Sequence, residues 1–272
     1  MIPLLIGIVR LFLFVVGSAI GSFLSVVILR SMRGESWVHG RSECDECGRQ
    51  IRWYDNIPLL SFVVLRGKCR DCKASIHPLH FLVELLTGIM LVWWYWGGFI
   101  FFQLTQQPFV VLQPLFWLLV GLLLLLILFT DIIYMIIPDE AVILLTVITL
   151  LYRLMLVAFG IMQPADIMFT LISTLAAFLF MLSLWFVTGG AGMGLGDVKL
   201  IVPLALLLGW PEIAVGIFAA FVVGAVFGLG LVGLRRAQLK QPIPFGPFLI
   251  IGAAISLIWG DQLFGWYLAF LR

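Results

Sequence analysis

The sequence predicts an all-α polytopic membrane protein, about eight transmembrane helices with a small cysteine-bearing insertion on the cytoplasmic side. Three observations carry this. Hydrophobic residues fill 63% of the 272 positions and charged ones 11%, more apolar surface than a soluble fold can hide. The apolar residues fall in long uninterrupted segments, most of them able to cross a hydrocarbon core of about 30 Å as helices. All four cysteines, by contrast, sit in one polar stretch near the N-terminus.

The apolar segments run over 4–29, 80–102, 113–130, 138–160, 165–188, 198–209, 211–234 and 246–270. The first carries Arg10 within it, has no basic lead-in and is long for a signal core. It reads as a retained membrane helix. Between the first two segments lie nine basic residues: Arg30, Arg33, Arg41, Arg49, Arg52, Arg66, Lys68, Arg70 and Lys73. Basic loops stay cytoplasmic, so the N-terminus is predicted outside and the 30–78 stretch inside. Alternating from there, the loop from Gln103 to Leu112 and the one at Gln163 fall outside. The loops at Asp131–Glu140, before Lys199, and at Arg235, Arg236 and Lys240 fall inside. Thirteen of the sixteen lysines and arginines are then cytoplasmic.

Segment 198–209 is the difficult one. Twelve helical residues reach about 18 Å, and Pro203 is expected to interrupt them. Merging the segment with the next would put Arg235, Arg236 and Lys240 outside, against the charge rule. It is therefore read as a separate short or broken crossing that lines a cavity, ended by the Gly209-Trp210-Pro211 turn. The chain divides into a first transmembrane helix (1–29), a cytoplasmic four-cysteine domain (30–79) and a multi-helix membrane core (80–272). A net charge of +2 gives no electrostatic case for nucleic acid.

The cysteines form two pairs, Cys44-Asp45-Glu46-Cys47 and Cys69-Arg70-Asp71-Cys72, with 21 residues between them. That is zinc-ribbon spacing: each two-residue gap makes a knuckle that aims two thiolates at one ion. Four sulfurs close the coordination sphere, so the metal is structural. Disulfides are disfavoured in a reducing cytoplasm. His39, His77 and His80 lie nearby and are read as surface or interface residues.

Acidic residues are scarce in the apolar remainder, and each is a functional candidate by default. Asp131 ends the third segment, and Asp197 closes the run Gly192-Met193-Gly194-Leu195-Gly196-Asp197. Both fall at the cytoplasmic ends of their crossings, so they can meet. Two close aspartates share one proton and supply an acid and a base in one site, the chemistry of an aspartyl protease. Gly194 and Gly196 would let a substrate backbone approach. Asp139 reads as a helix N-cap, Glu84 as the partner of a cytoplasmic basic residue, and Lys199 as either a bias on Asp197 or a snorkelling side chain. The carboxylates alone also suit a proton- or ion-coupled transporter, and a non-enzymatic zinc-bearing scaffold is a third reading. The glycine run follows a membrane helix rather than a strand, which argues against a dinucleotide fingerprint.

Five motifs, in order, resemble the type IV prepilin leader peptidase / N-methyltransferase family: Gly21-Ser22-Phe23-Leu24, the four-cysteine domain with Asn56-Ile57-Pro58-Leu59-Leu60-Ser61 inside it, Thr130-Asp131 leading to Ile137-Pro138-Asp139, Gly194-Leu195-Gly196-Asp197-Val198-Lys199-Leu200, and Ile243-Pro244-Phe245-Gly246-Pro247-Phe248. The resemblance implies an aspartic endopeptidase of the bacterial inner membrane with Asp131 and Asp197 as its dyad. It would cut the short basic leader from prepilins or pseudopilins, then methylate the new N-terminus from S-adenosylmethionine. Ser25, Gly190-Ala191 and His77-Pro78-Leu79-His80 depart from the family pattern; none touches the aspartates or cysteines.

Overall fold

The computed structural model describes residues 2–33, 41–101, 104–234 and 243–270. Arg235, Arg236 and Lys240, His39 and Gln103, used above for topology and surface assignments, lie outside the described residues. Among those described the structure is helical, with only two isolated bridges, Glu43 to Gln50 and Lys68 to Ser75. The helices are α1 (Ile2–Arg33), α2 (Leu60–Val64), α3 (Pro78–Phe101), α4 (Phe109–Tyr134), α5 (Asp139–Ala158), α6 (Pro164–Thr188), α7 (Leu195–Leu208), α8 (Glu212–Gly233) and α9 (Gly246–Phe270). Seven of them, all but α2 and α7, are long and apolar enough to cross a bilayer. The chain is a multi-pass membrane protein that divides into two compact units, Met1–Leu126 and Ile127–Arg272.

In the first unit α1 packs on α3 at backbone-contact range. A Cβ on Gly17 would lie 2.7 Å from the Thr87 carbonyl oxygen, one on Gly21 2.8 Å from the Glu84 Cα, and one on Gly88 2.6 Å from the Ser18 hydroxyl. Lipid gives two apolar helices no hydrophobic reason to pair, so close backbone packing over small residues supplies the attraction. The buried hydroxyls there stay satisfied within their own helices: Ser18 donates to the Phe14 carbonyl and Thr87 to that of Val83. Among the described residues Glu84 has no basic partner of the kind expected of it. Its Oε2 accepts the N–H of Leu59 at 2.8 Å, because Leu59 opens α2 at φ +60° and its amide there needs an acceptor.

In the second unit α7 is packed by α5, α6, α8 and α9. Ten of its fourteen residues are buried, among them Val198, Leu200, Ile201, Leu204 and Ala205. This is the segment expected to be a short or broken crossing; it is short and, at Pro203, unbroken. Proline removes a single backbone bond, to the Lys199 carbonyl, and close packing around the rest of the helix holds it together. Fourteen residues span about 21 Å, so α7 depends on protein rather than lipid contact. Its C-terminal carbonyls are covered by Arg153 of α5: Nε donates to the Leu206 carbonyl at 2.6 Å and Nη2 to that of Leu207 at 3.1 Å, while Nη1 donates to the Thr170 hydroxyl at 3.2 Å. A cation at a helix C-terminus also opposes the negative end of its dipole. Replacing Arg153 with Met keeps the aliphatic stem and orphans these acceptors. The expected loss is about 2–3 kcal/mol, measurable as a lower thermal midpoint in detergent.

Candidate active site and metal centre

The site is built where three helix ends converge within the second unit. Asp131 lies in the last turn of α4, which ends because Met135 adopts φ +53°, a conformation that closes a helix and costs a non-glycine residue about 1 kcal/mol. The sharp turn returns Ile137 to the site, where it is buried. Asp131 is buried at 5% exposure, and its Oδ2 accepts the Gly246 N–H at 2.9 Å. Gly246 is the first residue of α9, so this carboxylate sits on a helix N-terminus belonging to another element. A Cβ at Gly246 would lie 2.6 Å from that same oxygen, so any larger residue would force the carboxylate or the helix to move.

Asp197 is placed by its own helix. Gly194 is the N-cap of α7 and Asp197 its third residue, and the Asp197 Oδ2 reaches back to the Gly194 N–H at 2.9 Å. This is the carboxylate half of a capping box. Asp197 is also 5% exposed. Its other oxygen, Oδ1, is the one buried side-chain oxygen or nitrogen among the described residues that finds no hydrogen-bond partner. A buried carboxylate oxygen left bare is costly, and such exceptions mark places where a water or a substrate belongs.

The surroundings of the two carboxylates share one side chain. Ile137 is the physical link. Its side chain lies 3.0 Å from where a Cβ on Gly196 would be and 3.3 Å from where one on Gly246 would be. The bare Cα of Gly196 thus faces Ile137. Gly194 is exposed, and a Cβ there would meet the Asp197 Oδ2 at 3.7 Å, an ordinary contact distance.

Lys199 and Asp139 resolve together. Asp139 is not an N-cap: Pro138 holds that position, and Asp139 is the first residue of α5. A proline-fixed extended backbone at the cap pushes the aspartate one place into the helix. There it receives Lys199 on both oxygens, at 2.8 and 2.9 Å. The lysine is consequently engaged by Asp139 at the rim of the site, tying the start of α7 to the start of α5.

The cysteine pairs lie in the first unit. The two knuckles are alike: the Gly48 N–H donates to the Cys44 carbonyl and the Lys73 N–H to that of Cys69, with Gly48 at φ +66° and Lys73 at φ +62°. Both residues directly follow the second cysteine of a pair, where the chain must turn left-handed. The sulfurs of Cys44, Cys47, Cys69 and Cys72 lie within 4.8 Å of one another, and Cys44 to Cys72 is 3.8 Å. Four thiolates at about 2.3 Å from a tetrahedral zinc would be about 3.8 Å apart, so the donors fit a metal ion. Cys69 lies among backbone donors of its own knuckle. The backbone N–H groups of Cys72 and then Asp71 bring its thiol down to about 7, which readies it for a metal at neutral pH. Arg70 clamps Asp55 with two bonds of 2.8 and 2.6 Å, tying the second knuckle to the turn at Trp53–Asn56.

Residues 15–97 match the bacterial peptidase A24 N-terminal domain, and residues 117–229 match the type IV leader peptidase family. A prepilin leader peptidase/N-methyltransferase of Stutzerimonas stutzeri is 34% identical over 287 residues, which cover 95% of this chain and 93% of that one. The chain belongs to the type IV leader peptidase family. Similar proteins of the same name come from Pseudomonas aeruginosa, 34% identical with 93% and 91% covered, and Aeromonas salmonicida, 35% identical with 84% and 75% covered. No solved structure matches the chain.

The type IV leader peptidase match contains Asp131, Asp197 and Lys199, and the N-terminal match contains all four cysteines. Gly246 lies past both. As a site residue it escaped the sequence, although glycine before proline at a helix start was the available signal. Ile137 escaped because its part is steric and leaves no chemical signature. For the cysteine cluster, Cys69→Ser should reduce bound zinc from one equivalent to a small fraction by elemental mass spectrometry. The 41–77 region should then become open to protease, since metal binding is what folds so small a domain.

Proposed function

We propose that this protein cuts the leader from type IV prepilins or pseudopilins, using Asp131 and Asp197 as a catalytic pair. One observation carries the reading. Each carboxylate is held by its Oδ2 on a helix N-terminal N–H, and the Oδ1 of Asp197 is buried and unpartnered. Fixing one oxygen of each acid on the backbone sets the orientation of the other, which is the preorganisation a reacting water needs.

The pair carries one proton. The ionised carboxylate takes a proton from water as the water oxygen attacks the scissile carbonyl carbon. The protonated one donates to the carbonyl oxygen and, as the C–N bond breaks, a proton reaches the leaving amine. No covalent enzyme intermediate forms. Ile137 and the apolar wall of α7 exclude bulk water, and the Lys199–Asp139 pair holds the two segments in register.

The chain divides for this purpose into the first helix (1–29), the four-cysteine domain (30–79) and the protease core (80–272). Zinc at the four cysteines is structural. The basic residues of the 30–79 stretch support a cytoplasmic position for that domain in a bacterial inner membrane, with the N-terminus outside. The relatives' names support a second step, N-methylation of the cut product. S-adenosylmethionine supplies the methyl group when bound, and none of the residues described above is assigned to hold it.

The test is mass spectrometry of a prepilin incubated with the purified protein and S-adenosylmethionine. The expected spectrum shows loss of the leader and gain of one methyl group. An uncut precursor overturns the peptidase reading; a cut, unmethylated product overturns the second step alone.

A further inference from the structure

The least explained surface lies on the outer side of α2. This helix is only five residues long, and its inner side is docked. The Phe62 ring is 5.1 Å from that of Phe81 in α3, and the Leu59 amide at its start donates to Glu84. Both anchors belong to the first two turns of α3, itself a membrane span beginning at Pro78. At 1.5 Å per residue they lie about 5–9 Å from the start of that span, comparable with the roughly 5–10 Å to which interfacial helices bury their apolar face.

The outer side carries Leu60, Val63 and Val64, exposed by 57%, 62% and 64%. Spacings of three and four residues put them on one stripe. The turn at Trp53–Asn56 packs against α2 and bears Trp53, 81% exposed. Arg66 and Lys68 follow the helix directly and are exposed. An apolar stripe, a tryptophan and basic residues beside the end of a membrane helix match what the bilayer interface selects, where indole rings settle and lysine and arginine meet lipid phosphate. A stripe left in water beside that interface would forgo a stabilisation available within a few ångströms.

The geometry points to α2 as an interfacial anchor: Leu60, Val63 and Val64 enter the headgroup–acyl boundary and hold the cysteine domain against the membrane. The occupant is lipid, since the stripe lies beside the start of a helix apolar enough to span a bilayer and its neighbours are basic. This inference is independent of the aspartate chemistry.

The test places a photoreactive residue, Val63→p-benzoylphenylalanine, in the full chain within nanodiscs of phosphatidylethanolamine and phosphatidylglycerol. Illumination should give phospholipid adducts several-fold more abundant than the same label at Glu46, an exposed knuckle residue. The same label at Leu60 guards against a local failure at Val63, and an unchanged zinc content certifies the fold of each. Lipid adducts at Glu46 level at both positions overturn the anchor. So do adducts dominated by protein, whether a second copy, another part of this chain or an added prepilin. Val63→Asp with Val64→Asp should also make Arg66 and Lys68 more rapidly cleaved by trypsin in the nanodisc; unchanged cleavage counts against the anchor.

Discussion

Asp131→Asn and Asp197→Asn are each expected to abolish leader cleavage, with a loss of at least about 10²–10⁴-fold, the range general acid–base catalysis contributes. Asparagine keeps the size of the side chain and an oxygen that can accept the backbone N–H. For Asp131 that donor is Gly246, and for Asp197 it is Gly194. The packing of α4 against the start of α9, and the capping of α7, should survive. What is lost is the shared proton, because an amide neither takes a proton from water nor gives one to the leaving group. The measurement is time-resolved mass spectrometry of a prepilin with each purified variant, alongside a thermal melt. Cleavage within a few-fold of wild type in either variant, with the melt unchanged, removes that aspartate from the mechanism. Loss of cleavage together with a collapsed melt would place the residue in the fold instead.

Gly246→Ala is expected to lower cleavage about a hundredfold while the cysteine domain keeps its zinc. The new methyl would stand 2.6 Å from the Asp131 Oδ2, closer than real carbon–oxygen contacts. Ile137 stands 3.3 Å from the same methyl and narrows the room for it further. Either the carboxylate turns aside or α9 withdraws, and both lengthen the N–H bond that aims Asp131. A displacement of about 1 Å at a reacting group costs on the order of 10² in rate. Gly230→Ala in α8 is the matched control, because nothing lies within 4 Å of its added carbon; cleavage there should be unchanged. Equal rates for the two alanine variants would show that Gly246 does not set the position of Asp131. The effect should appear in kcat more than in KM, since the aspartate acts on the reacting bond rather than on the remote leader.

Much of the molecule was legible in the chain because lipid and metal impose simple rules. A bilayer demands about twenty apolar residues per helix, and seven helices among the described residues meet that demand within a residue or a turn of where the hydropathy placed them. Thiolate spacing was equally direct, because a knuckle closes within four residues and depends on nothing distant. The errors all concern which partner a polar group finds. Pro203 was expected to break α7, but the packing around that helix outweighs one lost hydrogen bond. Asp139 was expected to cap α5, but Pro138 occupies the cap and the carboxylate meets a lysine sixty residues away. Glu84 was given a cation and has a backbone amide.

By itself, the sequence determined that this chain lives in lipid, that four cysteines converge, and that Asp131 and Asp197 are the carboxylates to watch. Composition, segment length and local spacing are enough for each, since the physics involved acts over a turn or across a bilayer. Only the tertiary structure decided how the aspartates are held: one on the N-terminus of a helix 115 residues downstream, the other on its own cap, with Ile137 wedged between their glycines. Those facts depend on which helix ends meet in space. A hydrogen bond is won or lost over tenths of an ångström, and no periodicity in the chain records that distance.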